Sequence, residues 1–131
     1  MIFHQDKDLS YLTFESFADL PHGVFTRRGG VSPAPWSTLN VGGSVGDDIL
    51  HVRENRVRSF AALGRDPDSL HDVWLVHSTD VVYADAPRDL SLKSPQADLL
   101  FTDNPNVTLF MRFADCVPLL FHDPKKGVVG I

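Results

Sequence analysis

A single cysteine among 131 residues excludes an internal disulfide framework and suits a reducing compartment. Positive charge is also short: 12 Lys and Arg stand against 17 Asp and Glu, for a net charge of -5. That balance argues against nucleic acid as the main partner, since such affinity rests on cations at phosphates. It leaves room for a small anion in a local basic pocket. Long apolar runs are missing, the longest being of the size of Val117 to Phe121, so no membrane partner is expected. The start, Met1-Ile2-Phe3-His4-Gln5-Asp6, has no basic region ahead of an apolar one, and a cytoplasmic location is the default. No internal repeat and no linker divides the chain, so residues 1–131 are expected to form one domain.

What is present reads as an α+β protein. Tyr11 to Phe17 alternates imperfectly and suggests a half-buried strand, and His22 to Thr26 suggests a short one. From Gly29 to Asp48, glycine, proline, serine and asparagine dominate, giving a long loop; Trp36, Leu39 and Val41 within it favour an ordered loop packed over something. Asp47 or Asp48 can cap a helix over about 48–63, in which Ile49, Val52, Phe60 and Leu63 recur at helical spacing and Gly64 supplies the stop. Glu54 and Arg58 stand in the favourable order for an ion pair, while Asn55 and Arg56 interrupt the apolar stripe. Arg56 is read either as a stem snorkelling along the core edge or as a functional cation. After a turn-rich stretch to Asp72, strands are expected at Val73 to His77, Val81 to Tyr83, Asp98 to Thr102, Val107 to Phe113, Val117 to His122 and Gly127 to Ile131. One helix with many short strands points to mixed and antiparallel sheets with flanking helices rather than a regular βαβ wind.

The lone thiol, Cys116, sits beside Asp115 at the mouth of the Val117 to Phe121 run, which should be buried. Alone, it reads as a small core residue, because free cysteine is among the most buried types. Asp123-Pro124-Lys125-Lys126 has hairpin-turn chemistry. Pairing His122 with Gly127 puts Ile131 opposite Pro118 and the second position beyond Ile131 opposite Cys116. On that register the chain ends in mid-strand beside its most reactive residue, as a fragment would.

Thr26-Arg27-Arg28-Gly29-Gly30-Val31-Ser32, Leu39-Asn40-Val41-Gly42, Gly46-Asp47-Asp48 with Asn55-Arg56, Val76-His77, Ala97-Asp98 with Thr102-Asp103, and Ala114-Asp115-Cys116-Val117-Pro118 resemble, in order, the YfiH-like family. It is also called the multicopper polyphenol oxidase or laccase-domain family, and the resemblance covers about residues 22–131. It implies an α+β fold roughly twice this length, with these residues as its N-terminal half. The implied activity is phosphorolysis of adenosine, inosine, guanosine and methylthioadenosine, with adenosine deamination besides. The implied site is a His, Cys, His metal centre, with His77 and Cys116 in the first two places and the third histidine just beyond Ile131. One departure is Leu75, where the family usually has glutamine.

A Cys with two His suits zinc, with the fourth position open for water; copper in the same site is the alternative. His122 lies six residues after Cys116, about 20 Å along an extended strand at roughly 3.3 Å per residue, too far to share the ion. Arg27 or Arg28, followed by two glycines that let backbone N–H groups approach an anion, can bind phosphate, although Arg-Arg-Gly-Gly is also a plain solvated turn. Asn40 and Arg56 complete the expected substrate contacts. Asp115 can orient a ligand or accept a proton, or be only a turn residue. The competing readings are copper-dependent phenol oxidation, a metal-free Cys and His hydrolase, and a non-catalytic fragment whose open strand edge self-associates or pairs with the missing half. Six histidines and one cysteine are too few for several copper ions.

Overall fold

The chain begins in a hairpin that the sequence pattern did not announce. The computed structural model describes residues 1–131, which divide into two compact units, Met1–Pro67 and Asp68–Ile131.

In the first unit, β1 (Ile2–Asp6) pairs antiparallel with β2 (Leu9–Thr13), closing through a turn in which Lys7 takes a φ of 54°. β3 (Val24–Phe25) adds to the other edge of β2, with Tyr11 opposite Phe25. This ladder stacks His4, Tyr11 and Phe25 at centroid spacings of 4.8 and 5.0 Å. The expected strand over Tyr11 to Phe17 therefore ends at Thr13, and Glu15–Phe17 is a 3-10 turn instead. The helix α1 (Ile49–Ala62) is where the apolar spacing put it. Of the two candidate caps, Asp48 is the one used, accepting the Leu50 amide at 2.8 Å. At the other end Gly64 takes a φ of +63° while Arg65 N–H returns to Phe60 O. Glu54 and Arg58 pair at 2.8 Å. The buried face of α1 is Val52, Asn55, Ser59 and Phe60, while Ile49 is exposed. The supposed interruption of the stripe, Asn55, is thus its most deeply placed polar residue. Residues 26–48 form no helix or strand.

The second unit holds two sheets. β4 (Leu70–Asp72) runs parallel to β7 (Thr108–Phe110). β5 (Val81–Tyr83), β6 (Leu99–Thr102), β9 (Val128–Gly130) and β8 (Phe121–Asp123) form a four-stranded sheet in the order β5-β6-β9-β8, parallel only between β5 and β6. Val73, Ala84, Ala97, Leu100 and Val107 make its core, with Leu75, Val82, Leu109, Met111 and Ile131 against them. Mixed sheets with one helix make this an α+β fold. No helix is long and apolar enough to cross a membrane.

Three expectations need correcting here. Val73 to His77 is not a strand: the ladder lies just before it, at β4, and only Trp74 makes an isolated bridge, to Gln96. Val117 to Leu120 belongs to no ladder, and Val117 is 82% exposed, so the run after Cys116 is not buried. The terminal hairpin pairs Asp123 with Val128 and Phe121 with Gly130, two residues away from the expected register. The cause is Gly127, whose φ of +66° makes it part of the turn, while Asp123 Oδ1 accepts the Lys125 and Lys126 amides. Gly130 is required by the same register, since a Cβ there would lie 2.3 Å from the Phe101 ring.

Candidate functional site

In the first unit a buried amide organises the long loop. Asn55 is 0% exposed, and its Oδ1 accepts the Val31 amide at 2.8 Å. Its Nδ2 faces Asn40 O at 2.7 Å, Ser32 Oγ at 2.9 Å and Thr38 O at 3.2 Å. A helix residue thus supplies partners to four points of a segment with no ladder of its own, which is how buried backbone groups in irregular structure are satisfied. Asp47 extends the network, accepting from Ser32 Oγ at 2.6 Å and from Asn40 Nδ2 at 2.9 Å, with the Asp48 amide and His51 on its other oxygen. Burial pushes the Asp47 carboxyl up, but the hydrogen bonds from Ser32, Asn40, His51 and the Asp48 amide together outweigh it and hold the pKa below its ordinary value.

The residues expected to contact substrate divide along this network. Asn40 is engaged with Asp47 and Gly42, and the Arg56 guanidinium donates to Val41 O at 3.0 and 2.9 Å, so both hold the loop onto the helix. Arg27 and Arg28 instead line a cleft of about 620 Å³, with Thr26, Gly29, Gly30, Thr38, Ser10 and Asp8 among its other walls. Arg27 sends Nε to Ser37 O at 2.9 Å. Arg28 is exposed, and only its backbone amide is engaged, by Thr26 Oγ1. The two glycines do not offer their N–H groups to an anion: both donate to Thr38 Oγ1, at 3.0 and 3.1 Å. They are glycines because the chain is too crowded for a side chain, a Cβ on Gly29 falling 2.1 Å from Leu9 Cα and one on Gly30 falling 2.1 Å from Thr38 O.

In the second unit, His77 stands exposed on a turn just after the Trp74 bridge. Its φ is 61°, in the left-handed region. The turn is gathered by Asp98, which accepts the amides of Val76, His77 and Ser78 at 3.2, 3.0 and 2.7 Å and the Ser78 hydroxyl at 3.1 Å. The Ser78 amide is the largest influence on the Asp98 carboxyl; with the other donors it outweighs burial and lowers the pKa. Cys116 is a free, exposed thiol, and Asp115 before it has a φ of 70°. The core-residue reading of Cys116 is therefore overturned. The sequence reading also missed a charged cluster: Asp72, 1% exposed, is bound by Arg88 Nε, by Arg112 Nη2 at 3.2 Å and by Ser94 Oγ at 3.2 Å. The Arg112 guanidinium lies 5.7 Å from the Trp74 ring centroid. The two guanidiniums outnumber the one carboxylate and also donate to backbone carbonyls, Arg88 Nη1 to Asp89 O and Leu92 O and Arg112 Nη2 to Val73 O, which makes the cluster a brace for the strand ends.

A catalytic zinc site needs three protein donors and an open position. No group of three or more His, Cys, Asp or Glu side chains in the chain can hold an ion. His77 and Cys116 by themselves therefore do not fit such a centre, and no step below runs through one.

Residues 21–131 match the family described as multi-copper polyphenol oxidoreductase laccase. A Streptomyces griseus protein named purine nucleoside phosphorylase ORF3 is 45% identical over 112 residues, which are 83% of this chain and 45% of that one. A Deinococcus radiodurans purine nucleoside phosphorylase is 42% identical over 111 residues, 85% of this chain and 42% of its own. Among solved structures, the Bacillus licheniformis hypothetical protein YfiH superposes with a TM-score of 0.85 at 30% identity, over 98% of this chain and 50% of that one. YlmD from Geobacillus stearothermophilus gives 0.84 at 33% identity, with the same coverage of 98% and 50%. The chain thus spans about half the length of the relatives it matches.

Proposed function

The chain belongs to the multi-copper polyphenol oxidoreductase laccase family, and on that premise we propose that the protein containing it is a purine nucleoside phosphorylase. The observation that carries this reading is the 45% identity to a protein of that name. Adenosine, inosine, guanosine and methylthioadenosine are its substrates together with phosphate. A phosphate oxygen bonds to C1′ of the sugar while the bond from C1′ to the purine nitrogen breaks. The electron pair leaves with the base, which takes up a proton, and the products are free base and ribose 1-phosphate or its methylthio counterpart.

Within this chemistry Arg28 takes the phosphate. Its guanidinium has no internal ion pair, and a forked donor suits phosphate oxygens. Arg27, with Nε tied to Ser37 O, has its remaining N–H groups for the same anion. Asn40 and Arg56 act by fixing the loop that bears these arginines. Asp115 exchanges the proton with the base. In the cytoplasmic whole protein, His77 and Cys116 would be two donors to a zinc or copper ion if further donors joined them from outside residues 1–131, and such an ion would supply the activated water for adenosine deamination. The family description favours one other reading, copper-dependent phenol oxidation.

Incubation of the whole protein with adenosine, with and without phosphate, separates these reactions. Phosphorolysis requires adenine and ribose 1-phosphate to appear only with phosphate; inosine without phosphate reports deamination. Oxidation of a phenol with neither product would replace the reading.

A further inference from the structure

We infer that Asp98 is the positioning residue for His77, a role that rests on the reading above in which His77 belongs to the reactive centre. Val76 and His77 are exposed, so little side-chain packing holds this turn in place. Its order comes instead from one carboxylate: Oδ1 accepts the His77 amide, and Oδ2 accepts the Val76 amide, the Ser78 amide and the Ser78 hydroxyl. Three consecutive amides aimed at one acidic group form an anion-binding concavity, filled here by the protein's own side chain. Asp98 is a firm anchor. It follows Ala97, which is 0% exposed in the core, and its amide and that of Leu99 both donate to Asp80 O at 3.2 Å.

The arrangement selects an unusual conformation. Three non-glycine residues have positive φ: Lys7, in a hairpin turn, and His77 and Asp115, both singled out by their chemistry. A left-handed histidine is uncommon and persists where its surroundings over-determine it. Asp98 supplies that determination, so the direction in which the imidazole leaves the backbone is fixed from the start of β6. An aspartate is specified because both of its oxygens accept. Asparagine offers one acceptor and turns an NH₂ toward N–H groups already pointing at it, and glutamate places the carboxylate one methylene too far.

The test compares Asp98→Asn with Asp80→Asn in the whole protein, Asp80 having an exposed side chain close by. Asp98→Asn is expected to speed amide exchange at His77 and Ser78, to leave exchange in β6 and β9 unchanged, and to lower kcat for adenosine deamination, the reaction given to the centre that includes His77, by about 100-fold with KM for adenosine unaltered, as misplacement of a reacting group by about 1 Å does. Asp80→Asn is expected to match the parent in all respects. The inference is overturned if exchange at His77 and Ser78 stays as slow as in the parent, if faster exchange spreads through the whole sheet, or if the turn loosens while kcat is kept. A parent protein without adenosine deamination would defeat the functional reading of His77 alone, because the exchange measurement reads the clamp independently of turnover.

Discussion

The loop over residues 26–48 and the short turns bearing His77 and Cys116 are all irregular backbone, yet they are held in opposite ways. The long loop is tied at many points to side chains of a helix, Asn55 and Arg56 between them engaging five of its groups, and Asp47, itself in the loop, ties Ser32 and Asn40 within it. The His77 turn depends on one carboxylate, and the segment after Cys116 leaves Val117 and Leu119 in the open. Length is therefore a poor guide to order in a loop. What counts is how many of its polar groups find partners on a regular element, and the sparsely tied turns are those that carry reactive groups.

The largest effect on this contrast should come from Asn55→Leu. It leaves the Val31 amide, the Ser32 hydroxyl and the Thr38 and Asn40 carbonyls short of a partner, and an expected loss of about 3 kcal/mol should be seen in urea unfolding. A loss below about 1 kcal/mol would mean that the loop is held by something else. Next comes Gly30→Ala, whose Cβ meets Thr38 O and Asn55 Oδ1; about 2 kcal/mol is expected. Gly64→Ala has open space around it and only an unfavourable φ of +63°, so about 1 kcal/mol should suffice there.

These residues show why the sequence was legible in some places and not in others. The helix was readable because Asp48, Val52, Phe60 and Gly64 obey local rules of capping and spacing. Asn55 was not: a polar residue on the buried face looks like a fault in the stripe until its distant partners are known. The strands of the second unit were found to within a few residues wherever the ladder was apolar, as at Val81–Tyr83 and Leu99–Thr102. The terminal hairpin slipped by two residues because the share of Gly127 in the turn is a matter of its φ, which composition does not state. The exposure of Cys116 ran against the burial habit of its residue type, and the family resemblance supplied most of the shift from core residue to ligand.

Acid sharpens the same comparison by a smaller amount. Asp47 keeps its pKa below the ordinary 3.8, hydrogen bonds outweighing burial. The unfolded chain therefore binds a proton more readily. The stability Asp47 contributes is present above pH 3.8 and is lost as pH falls through its lower folded value. Asp47→Asn should accordingly flatten the fall of stability below pH 4, measured as the melting temperature against pH. A parallel curve would remove Asp47 from the network. The smallest change is expected at Val117→Ser: being 82% exposed in this chain, it should shift stability by no more than about 0.5 kcal/mol. A larger loss in the whole protein would show that this turn is covered there.

The most direct measurement of the central claim is the Michaelis constant for phosphate in Arg28→Ala. If the unpaired guanidinium of Arg28 receives phosphate in a phosphorolytic reaction, that constant rises about tenfold or more while the constant for nucleoside stays put, the loss expected for one charge-assisted contact. An unchanged phosphate constant, or an equal rise in both, would contradict the assignment.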